Sequence, residues 1–196
     1  MKQFVIFATL AVAACLTGAA LAQPPAQPVH YLKLFPFLPD KVEGFVAEDP
    51  GGSTASAADF ALTEVSRAYY RDNEGAGGSA TVKIIAGTRT QSFPAAYAAA
   101  TGAKKETAPG ADQAVMVDGY PAIERYSDER KEGSLTVMVA DHYLVEIEVN
   151  GLGSDALQDW WRKVDAKKLA ALSPADRSLP RVAQNPPGMT LQVLDR

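Results

Sequence analysis

The chain has 196 residues, with 19 Lys and Arg against 23 Asp and Glu, a formal net charge of −4 and a single cysteine. This acidic balance excludes the clustered positive surface that holds nucleic acid. The basic pairs Lys104-Lys105, Arg130-Lys131, Arg162-Lys163 and Lys167-Lys168 are scattered and mostly have acidic neighbours, as solvated positions do.

Residues 1–22 read as a secretory signal peptide: Lys2, an apolar run from Phe4 to Leu16, and Ala20-Leu21-Ala22 before Gln23. Thr17-Gly18 interrupts the run before the roughly 20 apolar residues of a membrane helix accumulate. Val12-Ala13-Ala14-Cys15 also matches a bacterial lipobox, whose use would make Cys15 a lipid anchor and Leu16 to Val29 a spacer. The apolar character continuing past Cys15 favours the Ala22 cut, so the expectation is a periplasmic or secreted protein, with a membrane-tethered lipoprotein as the alternative. After the Ala22 cut no cysteine remains for a disulfide, a thiolate metal site or a redox pair. No second apolar segment is long enough for a membrane span.

Gln23-Pro24-Pro25-Ala26-Gln27-Pro28 predicts an extended Pro-rich leader, 23–30, ahead of a single domain over 31–172. In that domain a short strand is expected at Gly44 to Ala47, then strands at Asp59 to Tyr70 and Thr81 to Ala86, joined by the turn-rich run 72–78. Ser92 to Ala100 predicts a helix, with Ser92 as N-cap and Pro94 in the first turn. Residues 112–150 predict a meander. Val115 to Val117 turns through Asp118-Gly119 into Tyr120 to Tyr126, and Leu135 to Val139 turns through Ala140-Asp141-His142 into Tyr143 to Val149. That last run alternates Tyr143, Val145, Ile147 and Val149 with two glutamates, the period of a half-buried strand.

A second helix is expected after Ser154 as cap, with Leu157, Trp161 and Val164 on its core stripe and Trp160 at the stripe's edge. Asp165 caps a short continuation through Leu172. Ser173 to Arg196 carries Pro174, Pro180, Pro186 and Pro187 and reads as a tail, with a short strand at Met189 to Val193. The fold class is therefore α+β: a mainly antiparallel sheet of about six or seven strands with helices packed on it.

This element order, with Gly119-Tyr120-Pro121-Ala122 opening one strand, Tyr143-Leu144-Val145-Glu146 in the closing hairpin and an amphipathic helix after it, resembles the PsbP-like group over residues 40–172. That group includes the photosystem II extrinsic protein, Ran-binding Mog proteins and small bacterial envelope lipoproteins. The resemblance implies a binding or assembly role and carries no site residues with it.

Catalytic templates fit poorly. Asp141-His142 is the only acid–histidine neighbour pair, but it falls in a turn, and no Gly-x-Ser-x-Gly elbow marks Ser127 or Ser134 as a nucleophile. His30 and His142 are too few for a zinc site. Asp112, Asp118, Asp128 and Glu129 lack calcium-loop spacing. Glu146 and Glu148 share one strand face, with Lys83 or Arg125 as expected cross-strand partners, and do not face each other across a cleft as glycosidase carboxylates do. Gly75-Ala76-Gly77-Gly78 lacks the ending of a phosphate loop. Of the aromatics, Tyr69, Tyr70, Tyr120, Tyr126, Trp160 and Trp161 are expected mostly in the core, and Tyr69-Tyr70 must point to opposite faces. No catalytic, cofactor or metal residues are assigned. The expectation is a non-catalytic envelope binding or assembly module for an unknown envelope protein or small ligand. The alternative is a hydrolase or small-ligand carrier whose site is assembled from distant residues.

Overall fold

The computed structural model describes residues 29–57, 60–71, 77–102 and 110–172. The signal segment with Cys15, the leader through Pro28 and the tail 173–196 lie outside the described residues, as do 72–76 of the glycine-containing loop.

The architecture is α+β. Eight strands form one antiparallel sheet: β1 (Phe45–Ala47), β2 (Gly51–Ala57), β3 (Phe60–Arg71), β4 (Ser79–Gly87), β5 (Gln113–Val117), β6 (Tyr120–Ser127), β7 (Glu132–Val139) and β8 (Tyr143–Asn150). The order is β1-β3-β4-β8-β7-β6-β5, with β2 also on β3. β1 and β2 lie end to end along one edge of β3. Ala47 pairs with Tyr69 and Gly51 with Ser66, so Glu48-Asp49-Pro50 stand opposite only Arg67-Ala68, a bulge that accommodates a proline without a ladder donor. β2 is an addition to the expected elements: Gly-Gly-Ser-Thr-Ala-Ser-Ala has no apolar alternation to announce a strand.

The meander β5–β8 follows the predicted pairing. Asp118 and Gly119 both have positive φ, 49° and 84°, as a two-residue hairpin turn of matching twist requires. Three helices complete the fold: α1 (Phe93–Gly102), α2 (Asp155–Trp161) and α3 (Ala166–Ala170). Two expected caps are corrected. A 3-10 turn, Thr88–Ser92, runs directly into α1, and the Ser92 hydroxyl donates back to the Arg89 carbonyl at 3.0 Å instead of capping. Ser154 is itself helical, φ −57° and ψ −36°, and makes no cap bond. Asp165 does cap α3, accepting from the Lys168 N–H at 2.9 Å.

One sheet face carries the main core. Val65, Val82, Ile84, Leu135, Val137, Val145 and Ile147 are fully buried there under α2, α3 and the N-terminal turns, which contribute Leu34, Phe37 and Leu38. The packed chain already includes Val29, whose carbonyl accepts from the Thr63 hydroxyl, and His30, whose Nδ1 accepts from the Leu32 N–H at 3.3 Å. Trp160 corrects a second expectation: it is core, 2 % exposed, and packs on Tyr69 at 4.6 Å and on Phe45 at 5.1 Å between ring centroids. Trp161 is equally buried and meets Tyr120 edge-on at 5.9 Å, while its indole N–H donates to Asp118 Oδ2 at 2.7 Å. On the opposite face a smaller cluster joins Ile85, Phe93, Met138 and Leu144 beneath α1.

The Pro39 carbonyl ties the N-terminal segment to β3, accepting from the Tyr69 hydroxyl at 2.6 Å and from Arg67 Nη1 at 3.0 Å. Burial pushes the Tyr69 phenol up to about 12 from its ordinary 10.0, partly opposed by the Arg67 guanidinium. Folded and unfolded chains both keep this proton below pH about 10; above it only the unfolded chain ionises, and stability falls by about 1.4 kcal/mol per pH unit toward about 12. Urea unfolding from pH 9 to 12 should show an alkaline loss in the parent protein that is about 2–3 kcal/mol smaller in Tyr69→Phe; equal losses would refute the assignment. Asp118→Ala leaves the buried indole N–H unpaired and should lower stability by about 1–3 kcal/mol, with Asp118→Asn losing less because it keeps an acceptor. Denaturant midpoints check the order.

Candidate functional site

Strand residues alternate between faces, so the face opposite the main core is defined by register. Across β3, β4, β8, β7 and β6 it presents Tyr70, Ser79, Asn150, Glu132 and Ser127 in one row. The next row is Ala68, Thr81, Glu148, Ser134 and Arg125, and the third is Ser66, Lys83, Glu146, Thr136 and Ile123. The row after that, Glu64, Ile85, Leu144 and Met138, turns apolar where α1 covers it. Half of this face is therefore capped, and the other half is open, polar and built from short side chains.

The open half holds a groove of about 340 Å³ whose lining includes Thr81, Arg125, Ser127, Ser134, Glu148 and Asn150. Arg125 does not pair with the strand glutamates as expected. It leans outward to Asp112, with Nε at 2.8 Å and Nη2 at 2.7 Å from Oδ1. Arg130, from the β6–β7 turn, lies 3.7 Å from Glu132. Glu148 is exposed and forms no ion pair among the described residues. Ser127 is only 6 % exposed, and its hydroxyl has no protein partner among the described residues. Gly133 lies behind the groove on the core side. A methyl group there would meet the Tyr126 ring and the Arg125 carbonyl, so glycine allows that ring to approach the β7 backbone closely. The Tyr126 hydroxyl then donates to the Leu152 carbonyl at 2.6 Å; burial, with Asp128 nearby, raises its pKa above the ordinary value.

Four charges close the groove toward α1. Lys83 Nζ is 3.6 Å from Glu146 and 4.0 Å from Glu64, and Arg89 reaches Glu64 at 3.5 Å and Glu146 at 3.8 Å. Lys83–Glu146 is the expected cross-strand pair; Glu64 and Arg89 complete an alternating quartet that pins the β4–α1 connection to the sheet. At the other end Val46 and Tyr70 are cross-strand neighbours, 54 % and 48 % exposed.

The other sequence candidates stay apart. Asp141 and His142 are exposed in the β7–β8 turn, where Ala140 and Asp141 have φ of 50° and 55°. Ser134 lies near the far end of β7, about 17 Å of strand away by the rise per residue, and Ser127 is beside Ser134's end of the sheet. Asp118 is engaged by Trp161 and Asp112 by Arg125. Among the described residues no three His, Cys, Asp or Glu side chains gather in a metal-holding group. A cleft of about 680 Å³ lies between the β5–β6 turn and the α2–α3 corner. Its carboxylates already hold Trp161 and the α3 N-terminus, and its Arg162 already pairs with Asp159 at 2.7 Å. The open sheet face, with an unpartnered hydroxyl and an unpaired carboxylate, is the better candidate. No family model, curated protein or solved structure matches the chain.

Lys83→Met would leave two partly buried carboxylates facing Arg89 alone. A stability loss of about 1 kcal/mol at low salt, shrinking in 1 M NaCl, is expected from a partly screened network; unchanged unfolding at low salt would show that the quartet holds nothing.

Proposed function

We propose that this protein is an exported, non-catalytic envelope module that binds a partner or assembles a complex through the open face of its sheet. The observation that carries this reading is the asymmetry of the two faces. One is sealed by α2, α3 and the N-terminal turns, while half of the other presents ordered polar side chains with nothing packed on them among the described residues. Lone serines remote from the only acid–histidine pair do not make a nucleophilic centre, since a base must lie within hydrogen-bond reach of its nucleophile.

Export is supported by the order of residues 1–22, and no helix among the described residues is long and apolar enough to cross a membrane. The mature form is proposed to start at Gln23, periplasmic or secreted; a start at Cys15 with acyl chains would place the same module on a membrane. The meander β5–β8 followed by α2 supports the likeness to the PsbP-like binding and assembly proteins. The groove also suits the second reading, a small-ligand carrier, because its volume falls in the range of ligand sites.

Two measurements test the reading. Intact mass of the native protein from fractionated cells should show a chain beginning at Gln23 or a lipidated Cys15; a full-length cytosolic chain would refute export. A photo-crosslinking residue placed at Ser134 should give discrete adducts in envelope preparations that the same residue at Lys167 does not. Identical patterns from both positions, together with turnover in a hydrolase panel, would refute a binding face.

A further inference from the structure

The open groove has a chemical character that narrows its occupant, and the inference rests on the reading of that face as the recognition surface. We propose that it binds a neutral oligosaccharide, with a sugar ring stacked on Tyr70 and sugar hydroxyls met by Asn150, Glu148, Ser134 and Ser127.

Charge is the first argument. Both guanidiniums along the groove already face carboxylates, Arg125 on Asp112 at 2.7 Å and Arg130 on Glu132 at 3.7 Å, whereas Glu148 is unpaired among the described residues. A free anion would meet a site whose positive charge is compensated and which carries one carboxylate in excess. A polyhydroxylated neutral ligand matches this balance, because carboxylate and amide oxygens accept from hydroxyls while the amide NH2 and the remaining guanidinium N–H groups donate to them.

Hydrogen-bonding capacity is the second. Ser127 is 6 % exposed, lines the groove and has no protein partner among the described residues. The residue is largely enclosed but its hydroxyl oxygen still reaches solvent, so it is open on the groove side to a ligand hydroxyl or the water that one replaces.

Shape is the third. Tyr70, Ser79, Asn150, Glu132 and Ser127 occupy one row over five adjacent strands. Four strand spacings make about 19 Å, long enough for a tri- or tetrasaccharide. One strand beyond the lining residue Ser79, at the β3 end of this row, stands the Tyr70 ring, 48 % exposed, an amphipathic surface of the kind that receives the C–H face of a sugar.

The test is a 15N–1H NMR titration of the folded protein with cellotetraose, maltotetraose and the tetramer of N-acetylglucosamine, with inorganic phosphate and a heparin-derived tetrasaccharide as anionic probes. At least one neutral tetrasaccharide should shift the amides of Tyr70, Ser79, Glu132 and Asn150 saturably. Tyr70→Ala and Asn150→Ala should each weaken that affinity at least ten-fold. Tyr70→Phe, which keeps the ring, should retain it, as should Lys167→Ala on the opposite side. The proposal is overturned if no neutral sugar produces saturable shifts, if the shifts map elsewhere, or if only phosphate or heparin fragments bind. If the sugars fail while Ser134 still crosslinks to an envelope component, the carbohydrate assignment falls and the proposed function stands; loss of the Ser134 adducts as well removes both.

Discussion

The fold depends on two consecutive indoles. Trp160 and Trp161 are neighbours on α2, about 100° apart around its axis, and both are 2 % exposed. Trp160 reaches toward the β1–β3 side, onto Phe45 and Tyr69, while Trp161 reaches the β5–β6 side, onto Tyr120 and Asp118. A seven-residue helix has little stability of its own. Its place is set by these two large rings, each of which would cost about 3–5 kcal/mol to truncate in a packed core. Because they reach opposite ends of the same sheet face, α2 cannot slide or rotate without losing one contact, which fixes the closed face and leaves the other face uncovered by α2.

That division is enforced residue by residue along the central strands. In β8, Tyr143, Val145, Ile147 and Val149 are buried, and the intervening Glu146, Glu148 and Asn150 turn the other way. Slipping the register by one would bury two carboxylates and expose four apolar side chains. The same alternation in β4 breaks at Ile85, which is apolar on the otherwise polar face, and it is here that Phe93 of α1 lands. One substitution in the pattern thus decides how far the cover extends and where the groove begins.

Much of this was legible in the sequence because period-2 alternation is a local property. The seven strands expected between residues 44 and 149 are present, as are the Asp118-Gly119 turn, the Asp165 cap and the Lys83–Glu146 pair. What escaped depends on non-local neighbours. β2 has only small residues and is a strand because β3 offers it an edge. Ser92 and Ser154 have the right chemistry for caps, but helical conformation already extends through Ser154 and a 3-10 turn through Ser92. Trp160 looked marginal because one helix's periodicity cannot reveal that Phe45 and Tyr69 converge from two strands. The groove was the least legible feature: its rows exist only because β4 pairs with β8 across more than 50 intervening residues, and the sequence places Ser79 nowhere near Asn150.

The same long-range pairing builds the floor of the groove. Its floor side chains project from β4, β6, β7 and β8, each hydrogen-bonded to neighbours on both sides, so the backbone beneath them has little freedom to lose on binding. Asp112 holds Arg125 from outside the sheet and Gly133 lets Tyr126 brace β7 from beneath. A surface whose polar groups are fixed in advance recovers more of each contact as affinity, because less ordering entropy is lost when the ligand arrives. Such preorganisation suits the proposed recognition role, which needs donors and acceptors at fixed spacing and does not require a nucleophile within reach of a base.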